Sequence, residues 1–258
     1  MSIDYEKLKS WPFEDQITSY TRKDCALYAL GLGYADDPLD EDELGFVYED
    51  GLKTVPSMFT VLGAPGGWAS DPGTGIDWMK ILHGEHRMTL HGAPPPEGCL
   101  RSRTRVSSVI DKGEGRGALV ITTREITDES NGKLLTTIDH TSFCRADGGF
   151  GSGDATPQML PGAPEAPPEA TVALPTSPRA ALLYRLNGDR NPIHVSPAGA
   201  KRAGFDRPIL HGLCTYGMAA RAVLREYCGN DPERLGSLSL RFSAPFFPGE
   251  TLSVECWR

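Results

Sequence analysis

Three runs of alternating apolar and polar residues mark the first half of the chain: Cys99–Ile110, Gly117–Ile126 and Lys133–Arg145. The first ends at Asp111-Lys-Gly-Glu-Gly and the second at Ser130-Asn131-Gly132. Turn residues between alternating runs predict a β-meander. Two other stretches follow helical spacing. Thr21–Gly31 reads as a helix capped by Thr21 and stopped at Gly31 or Gly33. Leu213, Gly217, Ala220, Leu224 and Tyr227 predict a second helix. Its small residues Gly217, Ala219, Ala220 and Ala222 would let it lie close to a sheet.

Between these halves the pattern fails. Residues 148–178 run from Gly148, Gly149, Gly151 and Gly153 into Pro157, Pro161, Pro164, Pro167, Pro168, Pro175 and Pro178. Such a stretch has little to bury and reads as an extended linker. It divides the chain into units at 1–147 and 179–258. A weak repeat relates them. His86-Arg-Met-Thr-Leu-His-Gly-Ala-Pro-Pro-Pro-Glu-Gly-Cys-Leu and Leu238-Ser-Leu-Arg-Phe-Ser-Ala-Pro-Phe-Phe-Pro-Gly-Glu-Thr-Leu each read as strand, Ala-Pro, turn and strand. After Ala93-Pro94 three meander strands follow, but after Ala244-Pro245 only one precedes Arg258. The second sheet is therefore expected to lack two closing strands. Its open edge should be covered by the other half, by a partner chain, or left poorly ordered.

Composition narrows the class. The 258 residues suffice for one large or two small domains. A net charge of -8 argues against a nucleic-acid surface, though a local basic patch can still hold an anionic coenzyme. No apolar run approaches the ~20 residues of a membrane span. The N-terminus has no apolar signal core, and Cys256-Trp257-Arg258 is not a peroxisomal Ser-Lys-Leu address, so cytoplasm is expected. The six cysteines are scattered without a CxxC pair, as free thiols of a reducing compartment are.

The chemistry concentrates between Tyr184 and Leu213. Asn187-Gly188-Asp189-Arg190-Asn191-Pro192-Ile193-His194 places an acid, an amide and an imidazole on a segment that Gly188 and Pro192 keep from regular helix. Such a loop can aim Asp189 and His194 at one small volume, as an acid/base pair requires. Alone, Asp189 reads more readily as a turn former and His194 as a hydrogen-bonded structural histidine, and only their pairing with a helix-opening glycine reverses this; His211 reads as structural. Pro208 and Gly212 also suit an ordinary helix start. His83, His86, His91 and His140 have no convincing metal spacing and read as surface or packing residues. Neither a metal nor a redox cofactor is expected.

The 184–213 segment resembles the signature of the hydratase 2 family, the MaoC-like (R)-specific enoyl-CoA hydratases. Tyr20-Thr-Arg-Lys-Asp, Tyr28-Ala-Leu-Gly-Leu-Gly and Leu82-His-Gly-Glu resemble the first half of its two-domain members, such as the hydratase unit of peroxisomal multifunctional enzymes of type 2. The resemblance implies an α+β double hot dog, in which antiparallel sheets wrap a helix, and a homodimer. It implies hydration of a trans-2-enoyl-CoA to the (R)-3-hydroxyacyl-CoA, or the reverse, in fatty-acyl or sterol side-chain metabolism. Asp189 and His194 would be the acid/base pair, Asn191 would hold their geometry, and the Gly212 N–H would serve the oxyanion hole. The first unit would hold the acyl tail, where Gly63, Pro65, Gly66, Gly67, Pro72, Gly73 and Gly75 break up the helix position. The alternatives are a hot-dog thioesterase, which would send water to the carbonyl carbon, and a non-catalytic acyl-CoA binding module.

Overall fold

Thr21 opens the first long helix with a reciprocal cap. Its Oγ1 accepts from the Asp24 amide, and the Asp24 carboxylate accepts from the Thr21 amide at 2.8 Å. The computed structural model describes residues 3–158 and 160–258. Its helices are α1 (Tyr5–Lys9), α2 (Arg22–Gly31), α3 (Glu41–Leu44), α4 (Ala180–Tyr184), α5 (Pro197–Arg202) and α6 (Gly212–Cys228). Its strands are β1 (Gln16–Tyr20), β2 (Ile81–Leu90), β3 (Gly98–Asp111), β4 (Ala118–Asp128), β5 (Leu134–Cys144), β6 (Ala170–Pro175), β7 (Ser237–Arg241) and β8 (Thr251–Cys256). The meander is thus β3–β5. The Gly- and Pro-rich segment before β2 forms short 3-10 turns, the first at Pro56–Thr60, in place of a long helix.

The larger sheet has the order β1-β3-β4-β5-β2-β7, and β6 pairs with β8 in a two-stranded sheet. All pairings are antiparallel. The two halves repeat one connection. β1 pairs with β3 while β2 lies at the far side, and β6 pairs with β8 while β7 lies elsewhere. In the first half β4 and β5 fill the gap between those positions. Among the described residues no strand fills it in the second half, so β7 and β8 each keep one unpaired edge. The other edge of β7 is covered by β2, with Met88 opposite Leu238 and His86 opposite Leu240. The short second sheet is as expected, but the edges facing the missing strands are not covered by the other half: β2 pairs with the opposite edge of β7.

Two sequence expectations need correction. Residues 148–178 are not a linker throughout, because 170–175 is strand β6, completed by β8. The glycines at its start are also tied down. Asp111 accepts from the Gly149 and Gly151 amides, and Asp154 accepts from the Val109 amide. Nor is Gly217 set against a sheet. A Cβ there would lie 2.5 Å from Leu32 and 3.1 Å from the Tyr28 hydroxyl, so α6 rests closely on α2.

A single core spans both halves. Tyr28, Phe46, Phe59 and Met88 of the first pack with Tyr184, Tyr216, Leu224 and Leu174 of the second. A smaller cluster, with Leu8, Val109 and Val120, lies beneath α1. The two halves are also locked by a buried ion pair, with the Arg221 guanidinium bidentate on Glu43 at 2.7 Å for both contacts.

Candidate active site

Tyr184 ends α4, and a 3-10 turn leads to Gly188, whose φ of 120° only glycine adopts comfortably. The loop then folds on its own side chains. Asp189 accepts from the Asn191 amide at 3.1 Å, and Asn191 accepts from the Ile193 amide at 3.1 Å. Asn191 thereby caps the short turn Pro192–His194 that carries the imidazole. Its side chain holds the loop together.

His194 is buried, and its Nδ1 lies 2.9 Å from the Ile209 carbonyl oxygen. A carbonyl only accepts, so Nδ1 carries the proton and Nε2 keeps its lone pair. Beside it lies His211, ring on ring, with centroids 3.7 Å apart and planes 25° from parallel. His211 Nε2 donates to the Asp189 carbonyl oxygen at 3.2 Å, which leaves its buried Nδ1 as an unpartnered acceptor. Side-chain atoms of Asp189, His194 and His211 all lie within 4.8 Å of one another. Burial is the largest cause lowering the His194 pKa, against the opposing pull of the Ile209 contact and Asp189. Burial first and the neighbouring His194 second push His211 down to about 4. Both rings are neutral near pH 7.

Immediately after His211, Gly212 begins the 17-residue helix α6. First-turn amides have no intrahelical acceptor and stand at the positive end of the helix dipole. At Gly212 a Cβ would come within 3.2 Å of the Phe242 ring, so any side chain there would push that ring back by a few tenths of an ångström. The four residues expected from sequence therefore fall into one neighbourhood: Asp189 and His194 together, Asn191 beneath them, and Gly212 next to the histidine that binds Asp189. Sequence reasoning left His211 as structural. Its position directly before the helix-opening glycine was the one signal that could have marked it.

The other histidines do not scatter as expected. His83, His86 and His140 bring a nitrogen each to within 4.8 Å of one another. Three imidazoles at that spacing have the donor chemistry of a metal site, as does the Asp189–His194–His211 group.

Residues 18–146 match the MFE-2 hydratase 2 N-terminal domain, and residues 160–258 match the MaoC like domain. The chain is 39% identical to the enoyl-CoA hydratase ChsH3 of Mycobacterium tuberculosis, covering 93% of this chain and 84% of that protein. The chain belongs to the MaoC-like hydratase 2 family. A MaoC-like dehydratase from Phytophthora capsici superposes with a TM-score of 0.86 at 31% identity, over 99% of this chain and 88% of that one. A Mycobacterium tuberculosis protein with a double hot-dog fold superposes at 0.52 and 16% identity, over 97% and 84% of the two chains. The fold of this hydratase 2 chain is the double hot dog, with β1–β5 as the complete unit and β6–β8 as the shorter one. Among the described residues no helix is long and apolar enough to cross a membrane.

Proposed function

We propose that the protein hydrates trans-2-enoyl-CoA thioesters to (R)-3-hydroxyacyl-CoA and catalyses the reverse dehydration. The observation that carries this reading is the convergence of Asp189 and His194 beside the open first turn of α6. Hydration needs a base for water at C3, a proton for C2, and a donor for the thioester oxygen as enolate charge builds there. The free Nε2 of neutral His194 and the Asp189 carboxylate are suited to hold one water between them. The Gly212 N–H supplies the thioester oxygen with an oriented donor at a dipole end. Placing water and proton on one face of the alkene gives a single enantiomer, and the (R) form follows the family resemblance.

The substrate's charge has a complement as well. Residues 179–207 contain Arg179, Arg185, Arg190, Lys201, Arg202 and Arg207 against only Asp189 and Asp206, in a chain of net charge -8. This local basic surface suits the phosphates of a CoA thioester. The names of relatives agree, ChsH3 being an enoyl-CoA hydratase.

The test follows loss of the enoyl-thioester absorbance, with chiral analysis of the product and a free-thiol assay in parallel. Asp189→Ala and His194→Ala should each lower kcat by on the order of 10² or more with a smaller change in KM. Free CoA thiol released without hydration would replace this reading with a thioesterase. Near-normal hydration by either variant would remove the residue from its role.

A further inference from the structure

The face of the sheet that meets α6 carries a polar cluster where the core should be apolar. His86 and His140 are directly opposite in the β2–β5 ladder, so they share a face. His83 would point the other way in a regular strand. The register slips between His83 and Glu85, and this β-bulge at Gly84 turns His83 onto the face of His86. The three rings pack together, with His83 and His140 centroids 4.0 Å apart. Both nitrogens of His86 and the Nε2 of His83 are buried without a partner. An unmade hydrogen bond in such a place is costly, so several adjacent ones mark a site that expects a guest.

The guest is an acceptor of hydrogen bonds, and not a cation. Arg124 of β4 shares this face, opposite Ile138 and two pairs along from His140. Its Nη2 donates to the Phe59 and Thr60 carbonyls, and its Nε is buried and unpartnered. Among the described residues the one carboxylate in register with this face of β2, β4, β5 or β7 is Asp128 at the far end of β4, whose oxygens accept from Ser130 and Asn131 in its own turn, and Arg124 enters no ion pair. A divalent metal here would add charge beside a buried guanidinium with nothing to neutralise it. Neutral imidazoles each offer one N–H. Burial holds His83 and His86 well below the ordinary histidine range and His140 at about 4, which keeps them in that form. His83 spends its N–H on the Glu85 backbone, so two N–H donors, from His86 and His140, with an unpaired cation fit an oxygen, best of all a carboxylate.

The cluster adjoins the reaction site. The Phe242 ring touches the Gly212 position on one side, and the His83 ring is 4.4 Å away on the other. His86 lies 4.9 Å from the ring of Tyr216, one helical turn along α6 from Gly212. A group extending from a thioester held at Gly212 past Phe242 meets these histidines.

We propose that His86, His140 and Arg124, with His83 packed beside them, receive an oxygen-bearing part of the acyl group. The preferred substrates are then enoyl-CoA thioesters with a carboxylate, or less strongly a hydroxyl or keto oxygen, beyond the reacting carbons. This rests on the hydratase reading of Asp189 and His194. The experiment compares trans-2-enoyl-CoAs of equal chain length, with and without a terminal carboxylate or hydroxyl, across a range of lengths. The wild-type protein should favour an oxygenated member by about tenfold or more in kcat/KM, because unpaired polar groups reject a hydrocarbon. His86→Leu and Arg124→Met should collapse that ratio, with thermal melting to confirm folding. No preference at any length in the wild-type protein overturns the proposal. So does stoichiometric transition metal that co-purifies and is lost in His86→Leu. If no enoyl-CoA is hydrated, the hydratase reading fails separately. The receiving site is then decided by calorimetry with saturated acyl-CoAs, where tighter binding of the carboxylate-ended member supports it and equal binding overturns it.

Discussion

His194 and His211 are stacked face to face, while His211 also donates to the backbone of Asp189. One ring thus touches both members of the candidate acid/base pair without taking a proton itself. We expect His211→Phe to keep the stack and lose the hydrogen bond, lowering kcat by roughly tenfold, the size of one such bond. His211→Gln, which retains a donor, should recover part of the loss. Equal rates in wild type and His211→Phe would show that the Asp189 loop does not need this support.

Burial of neutral histidines makes stability depend on acid. His140 and His211 are each pulled to about 4, and His83, His86 and His194 are lowered as well. In the unfolded chain each takes a proton near pH 6.5. The unfolded state therefore binds more protons between about pH 6.5 and 4, and stability falls as pH drops through that window. The slope is at most about 1.4 kcal/mol per pH unit per residue. Denaturant titrations at a series of pH values should show the decline, and His140→Phe should flatten it by about one proton. A flat profile down to pH 4 would contradict the neutral state of these rings.

The Glu43–Arg221 pair should matter more when broken than when replaced. Both side chains are buried, and Glu43 additionally accepts from the Ala35 amide. Arg221→Met should cost about 3–5 kcal/mol, because it strands a buried carboxylate. The double change to Met at 221 and Gln at 43 should cost less than the sum of the two single changes, as coupled neighbours do. Additive losses in denaturant melts would mean the pair is not coupled.

At Gly217 the close contact of α6 with Leu32 and Tyr28 leaves no room for a methyl group. Gly217→Ala should lower stability by about 1–3 kcal/mol despite the better helix propensity of alanine. Leu32→Ala in the same background should recover part of it. A more stable Gly217→Ala protein would show that the two helices separate at little cost.

The elements with local signals were legible in the sequence. The β3–β5 meander announced itself by alternation and turns, α2 by its Thr21 cap, and the acid/base loop by Gly188, Asp189, Pro192 and His194. What escaped depends on pairing between distant positions. The strand Ala170–Pro175 is hidden among prolines and is a strand only because β8 lies beside it. His83 joins His86 and His140 through a bulge that no periodicity reveals. His211 is 17 positions from His194 in sequence, and only the fold stacks them. Glu43 and Arg221 are 178 residues apart, each unremarkable alone.

The β2–β7 ladder also sets an order of events during synthesis. The ribosome delivers β1–β5 long before β7, so all five strands of the first unit are made before the neighbour of β2 exists. Until β7 arrives, β2 carries a bare row of amides and carbonyls along the flank of the nascent sheet. A strand edge left open in a crowded cell invites pairing with other chains. Glu85, held between Arg87 and Arg241 once β7 is in place, stands on that flank as a lone carboxylate beside Arg87 during the wait. A charged pair there makes the unfinished edge a poor template for strangers and a good one for the arginine that eventually comes.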